Sequence, residues 1–275
     1  MAQPYRSLVL DQVGSTNREA LALAACGETG PLWIMARRQT AGRGRGSRQW
    51  ASVPGNLHAS LLTELACAPA VTPQLALLAG VATLDAIRQA ARGGPAGLRL
   101  KWPNDVLIGK AKCAGILVET TASPQPRLDP PQGTVWHTPT LNYRQLHAVT
   151  AVVGIGINLA WHPADLGRAA THLAAHGPGI APEAMLGHLD EAVQRWLAAW
   201  HCGADFATIR AAWLERAGPA GEPMSVDTGA ERIAGAFADL DPQGGLVVLD
   251  RHGRHRTVTF GDVALAAAEP QDTRR

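Results

Sequence analysis

"LRLKWPNDVLIGKAKCAGILVET", residues 98–120, holds three apolar runs separated by two polar turns. "LRLKW", "VLIG" and "CAGILVET" read as short strands, and Pro103-Asn104-Asp105 is a turn by composition. Pro103 restricts Trp102 to an extended conformation, so Lys101, Asn104 and Asp105 should project from a rigid sheet end. Lys112 opens the third strand, close to Gly115. An Asn-Asp turn is common, and a lone lysine at a strand end is usually just solvated. Basic and Mg-capable groups converging on one side of a sheet, however, suit a nucleoside triphosphate.

Upstream, "YRSLVLD" reads as a strand, and "GSTNREALALAA" as a helix start with Thr16 and Glu19 spaced as a capping box. "PLWIMARRQ" is a second apolar strand, and "NLHASLLTEL" alternates as a half-buried strand should. Between Pro73 and Ala91, the spacing of Leu77, Leu78, Val81, Leu84 and Ile87 predicts a core helix. Downstream, residues 121–132 are rich in proline and polar groups and suggest a surface excursion. "AVTAVVGIGINLA" reads as a buried strand ending in a Gly-x-Gly turn, followed by helices near 182–201 and 206–217. From Met224 to Leu265, short alternating runs punctuated by "DTGAE", "DPQGG" and "DRHGR" predict a small unit of four or five strands. The expectation is an α+β fold: a mixed β-sheet packed with helices over residues 1–218, then a small all-β unit over 219–275.

Composition narrows the function classes. The chain has 275 residues, 46% hydrophobic and 17% charged, with a net charge of only +2. That suits a packed core and does not suit a protein that coats nucleic acid. Cys26, Cys67, Cys113 and Cys202 are scattered, which argues against a zinc site or a disulfide framework and fits a reducing cytoplasm. The uncharged run from Leu65 to Leu84 contains Pro69 and Pro73, so it reads as a packed helix beginning near Pro73 and not as a membrane span. The expectation is a cytoplasmic protein without a membrane segment.

Local charge tells more. "RRQTAGRGRGSRQW", residues 37–50, contains five arginines and three glycines, and no acidic residue lies between Glu28 and Glu64. Glycines 42, 44 and 46 free the backbone to approach a ligand, and guanidinium groups suit carboxylate or phosphate. The segment reads as an anion-gripping loop that gains its order from the anion. It is neither a Walker loop, lacking Gly-Lys-Ser/Thr, nor a dinucleotide fingerprint. Contact with RNA, or a solvated basic loop without function, would also account for its composition.

Taken in order, "STN" at 15–17, "QTAGRGR" at 39–45, "KWPND" at 101–105, "KCAGILVE" at 112–119 and "GIGIN" at 154–158 resemble the motifs of the biotin protein ligases. The tail beginning "GEPMSVDTG" is similar to that family's small SH3-like unit. The resemblance implies a class II synthetase-like (biotin/lipoate ligase) fold and a two-step reaction. Biotin and ATP, with Mg²⁺, would form biotinyl-5′-AMP, and biotin would then pass to a lysine of a biotin carboxyl carrier protein, as on acetyl-CoA carboxylase. A loop closing over the labile adenylate would protect it from water.

Carried over by position, the resemblance puts biotin against Ser15, Thr16, Asn17, Gln39, Gly42, Arg43, Gly44, Arg45, Lys112 and Gly115. It puts the nucleotide against Arg45, Trp50, Asn104, Asp105, Lys112 and Asn158, with Asp105 placed for Mg²⁺. Lys112, Asp105 and Arg45 carry the expected catalytic roles. A helix cap is the plainer reading of Ser15–Asn17. Where many relatives continue with Arg/Gln-Gly-Arg, this chain has Gly46-Ser47-Arg48. Only fourteen residues precede Ser15, so the chain resembles the monofunctional class without a DNA-binding helix-turn-helix. A homodimer formed edge to edge through the sheet is compatible with this reading. The alternatives are a lipoate ligase or octanoyl transferase of the same fold, and an RNA-binding module using the arginine loop. No aromatic side chains interleave with the arginines for stacking, which weighs against RNA.

Overall fold

A computed structural model describes residues 3–122, 148–164 and 169–265. Its centre is a seven-stranded sheet in the order β1 (Arg6–Val13), β2 (Leu32–Gln39), β3 (Leu57–Ala66), β7 (Ala148–Ile157), β6 (Ala111–Ala122), β5 (Asp105–Ile108), β4 (Leu98–Lys101). Only β1 and β2 run parallel; every other neighbouring pair is antiparallel. The expected excursion after Thr121 falls mainly outside the described residues.

Helix α1 (Thr16–Ala25) covers one face of the sheet, packing Ala20 and Ala24 on Leu32, Ile34, Leu62 and Val152. The opposite face carries α2 (Gln74–Ala90), α3 (Pro182–Trp200) and α4 (Phe206–Glu215) over the larger core. The expected helical spacing holds: Leu77, Leu78, Val81, Leu84 and Ile87 are all buried. Among the described residues, no helix is long and apolar enough to cross a membrane. Two of the buried indoles find partners: Trp200 Nε1 donates to Gln74 Oε1 at 2.7 Å, and Trp33 Nε1 to Asp190 Oδ1 at 2.9 Å.

Three local expectations are corrected. The Thr16–Glu19 capping box does not form, because Ser15 is the N-cap and Thr16 turns to Gln39 and Ser60. Strand β3 is buried on both faces from Leu57 to Thr63, since helices lie on either side of it. Gly154 and Gly156 are not a turn. They sit inside β7, opposite Ser60 and His58.

The second sheet is antiparallel throughout, with strands β8 (Pro223–Asp227), β9 (Arg232–Leu240), β10 (Leu246–Asp250), β11 (His255–Val258) and β12 (Asp262–Leu265) in the order β11-β10-β9-β8-β12. It meets the main sheet at the β4–β5 end. There Arg99 pairs with Glu222 at 2.8 Å, and Trp102 Nε1 donates to the Gly244 carbonyl at 3.1 Å. The turn that carries Asn104 and Asp105 therefore lies beside the small sheet.

Candidate active site

The face of the sheet that carries α1 is not filled evenly. Paired residues on neighbouring strands point to the same side, so His58, Gly156 and Gly115 form one row across β3, β7 and β6. Ser60, Gly154 and Leu117 form the next. Glycine in these rows leaves room that other side chains enter. A Cβ on Gly154 would stand 2.0 Å from Asn17 Oδ1, and one on Gly156 2.6 Å from the Trp50 ring. The result is a cavity of about 940 Å³ floored by backbone, within the range of small-molecule sites.

One end is neutral and polar. The Asn17 amide nitrogen donates to the Leu117 carbonyl at 3.2 Å and to Glu119 at 2.8 Å, which turns Asn17 Oδ1 toward Ser60. That oxygen can only accept, so the Ser60 hydroxyl donates to it at 2.6 Å and receives Thr16 Oγ1 at 2.7 Å. Gln39 Oε1 accepts from the Thr16 backbone N–H at 2.8 Å. Ser15, Thr16, Asn17 and Gln39 are thus brought together as the sequence predicts, with Ser60 and Glu119 as members it did not single out.

The other end is charged. Asp105 is buried; it forms a short contact with Lys112 Nζ and lies 3.2 Å from Lys101 Nζ. Burial alone would push its carboxyl up, but the charges and hydrogen bonds of Lys112 and Lys101 outweigh that and hold it below the usual carboxylate range. Two ammonium groups thus share this one carboxylate. Lys112 also lies 5.4 Å from the centre of the Trp50 ring.

The arginine loop closes over both ends. It is a compact hairpin: Arg43 bridges to Gln49, Gly44 N donates to the Arg48 carbonyl at 2.7 Å, and Trp50 N to the Gly42 carbonyl at 3.0 Å. Gly46 supplies the left-handed residue at its tip, with φ 60°. Arg43 reaches β6 and holds Glu119 at 2.7 Å. Arg48 pairs closely with Asp262 of the small sheet. Arg45 stacks 5.3 Å from the Phe260 ring, reaches the Gly261 carbonyl at 3.4 Å, and touches Asn104 Oδ1 at 3.5 Å. Burial lowers the pKa of Arg45, against upward pulls from Asp262 and Asp105.

Asn158 stands apart from the other expected residues. Its amide donates to the Thr171 carbonyl at 3.0 Å, and it lines a small adjoining cleft with Gln49, Trp50 and Lys112. His58, fully buried in the cavity wall, was not singled out by the sequence. Its place in an alternating strand makes it look like one more outward polar residue.

Among the described residues, no three His, Cys, Asp or Glu side chains gather as metal ligands. The donor set therefore builds no standing cation cage. Asp105, a carboxylate at the cationic end, has Lys112 on one oxygen and Lys101 on the other.

A sequence profile of the Biotin/lipoate A/B protein ligase family matches residues 11–127. The biotin–[acetyl-CoA-carboxylase] ligase of Paracoccus denitrificans is 37% identical over 90% of this chain and 95% of its own. That of Mycobacterium tuberculosis is 31% identical over 93% of this chain and 87% of its own. In fold, the chain is similar to the Aquifex aeolicus biotin protein ligase solved with biotin and ATP, with a TM-score of 0.74 at 23% identity over 95% of this chain and 99% of that one.

Proposed function

The chain belongs to the biotin–[acetyl-CoA-carboxylase] ligase family, and we propose that it joins biotin to a carrier lysine through biotinyl-5′-AMP. The observation that carries this reading is the cavity itself, neutral and hydrogen-bonding at one end, cationic at the other, and roofed by an arginine hairpin. A urea ring suits the first end and a carboxylate beside a triphosphate suits the second. The lipoate and RNA alternatives have no comparable support in the relatives or in the site.

In the first step a biotin carboxylate oxygen attacks the α-phosphorus of ATP. The bond from that phosphorus to the bridging oxygen breaks, and pyrophosphate leaves with the electron pair. The repulsion between the two anions is the obstacle. Lys112, Lys101 and Arg45 offset it at the place where they meet, while Asp105 keeps the lysines charged and aimed. When bound, Mg²⁺ would neutralise phosphate charge beside Asp105. In the second step a neutral lysine amine of the carrier attacks the acyl carbon. AMP departs, and the amine's proton passes to solvent. Until then the hairpin from Gly42 to Trp50 keeps water from the mixed anhydride.

This reading assigns the chain to the cytoplasm, where biotin carboxyl carrier protein would be its partner. It also makes a homodimer through the sheet's β1 edge, where Leu8 and Val9 are exposed, the arrangement to test by sedimentation. The deciding experiment supplies purified protein with ATP, Mg²⁺ and either biotin or lipoate, followed by a purified carrier domain. Pyrophosphate release with biotin and label transfer to the carrier lysine are expected. Release with lipoate alone would overturn the reading.

A further inference from the structure

Buried polar atoms nearly always have partners, and an orphan costs about 1–3 kcal/mol. Among the described residues, four buried side-chain atoms lack a well-formed one: both ring nitrogens of His58, whose ring has only a loose approach to the Val53 backbone, Trp50 Nε1 and Thr83 Oγ1. Three of the four therefore belong to the wall of a single cavity. The Trp50 indole lies against Gly156, the residue paired with His58. Two orphaned groups thus flank one bare stretch of strand. A leucine or phenylalanine at position 58 would fill the same space without leaving nitrogens unsatisfied, so packing does not explain the histidine.

Its place along the cavity is informative. Ser60 is two residues farther along β3, roughly 7 Å at the usual strand rise, and belongs to the polar end. Gly115, beside Lys112, lies two strands away in the same row, roughly 10 Å at the usual strand spacing. His58 therefore stands between the polar end and the cationic end. At the polar end Thr16, Asn17, Ser60 and Glu119 hydrogen-bond largely to one another or to Arg43. His58 adds bare hydrogen-bonding capacity next to them. Burial keeps its imidazole neutral, so it offers one donor and one acceptor.

We propose that His58 is a specificity-determining residue: its imidazole hydrogen-bonds the urea ring of the bound acid, selecting a ring that bears N–H groups over one of carbon and sulfur. The assignment rests on the biotin reading of the site. It follows the general asymmetry of polar recognition, in which a pocket built to satisfy a ligand N–H rejects analogues that lack it.

The test compares wild type with His58→Phe, which keeps an aromatic ring, and His58→Gln, which restores a donor and an acceptor. Pyrophosphate release is measured against biotin and ATP separately. In the Phe variant the KM for biotin should rise about tenfold while that for ATP moves less than twofold, and Gln should recover part of the loss. The preference for biotin over lipoate, read by competition against labelled biotin, should narrow by a similar factor. A biotin KM within twofold of wild type, or equal shifts for biotin and ATP, would overturn the assignment. Should the Phe variant not fold, the imidazole nitrogen resonances of wild type must still shift when biotin is added; unmoved resonances overturn it equally. Wild-type protein inert toward biotin would sink the reading of the whole site, whereas active wild type with an unaffected Phe variant sinks His58 alone.

Discussion

The burial of His58 makes the stability of the ligand-free protein depend on pH in a way that one substitution isolates. Removal from water pushes its imidazole down from 6.5 to about 4, and hydrogen bonding toward the Val53 backbone pulls the other way. Above about pH 6.5 the ring is neutral in both folded and unfolded chains, so it imposes no penalty. As pH falls the unfolded chain takes up a proton that the folded chain refuses until about pH 4, and stability declines across that window. At pH 5 the gap is roughly 1.5 pH units at about 1.36 kcal/mol each, or about 2 kcal/mol. Chemical denaturation of wild type and His58→Phe at pH 8 and pH 5 measures it, because carboxylates such as Asp105 titrate alike in both proteins and cancel in the difference. Wild type should lose about 2 kcal/mol more than the variant. At pH 8 the Phe variant should be at least as stable as wild type, since it leaves no orphaned nitrogen. Equal losses on acidification, or an imidazole that titrates near 6.5 by NMR, would refute a neutral buried ring.

Other substitutions separate the parts of the site. Lys112→Ala should slow adenylate formation by about 10²–10³-fold with an unchanged circular dichroism spectrum; unaltered pyrophosphate release would remove Lys112 from the chemistry. Arg45→Gly should shorten the lifetime of bound adenylate and let biotin reach non-cognate lysines, so an unchanged adenylate lifetime would count against closure by this residue. Gly156→Ala places a methyl group 2.6 Å from the Trp50 ring and should weaken biotin binding by displacing the indole, as calorimetry would report. In a double-mutant cycle the half-exposed Arg48–Asp262 pair should couple by less than about 1 kcal/mol and fade with added salt. Coupling that is large and insensitive to salt would contradict a surface clamp.

What the sequence made legible follows from the range of the forces involved. The turn at Pro103–Asp105 and the core stripe of α2 are local, and both stand where composition and period put them. The capping box failed because Thr16 finds Ser60 and Gln39, groups distant in sequence that no local pattern registers. Gly-x-Gly looked like a turn because glycine is scarce in strands. Here it stays extended and makes room for Asn17 and Trp50. His58 and Ser60 looked like the solvent side of a half-buried strand. Alternation marks a polar face, but it does not say whether water or a ligand will meet it.

The charges of the hairpin also divide into two kinds, a division invisible in a run of like arginines. Arg43 and Arg48 each end on a carboxylate, Glu119 and Asp262, so each pair is neutral and acts as a clamp on the main or the small sheet. Among the described residues Arg45 forms no salt bridge; carbonyl, amide and aromatic groups hold it in a partly buried place. Lys101 and Lys112 share one carboxylate between them. Arg45 and this lysine pair with its shared carboxylate both stand at the end where a carboxylate would meet a phosphate. Extra charge elsewhere in the loop would grip any polyanion without discrimination. With the clamps neutralised, the hairpin's own attraction is concentrated at Arg45, where an acid and its nucleotide partner can be held together.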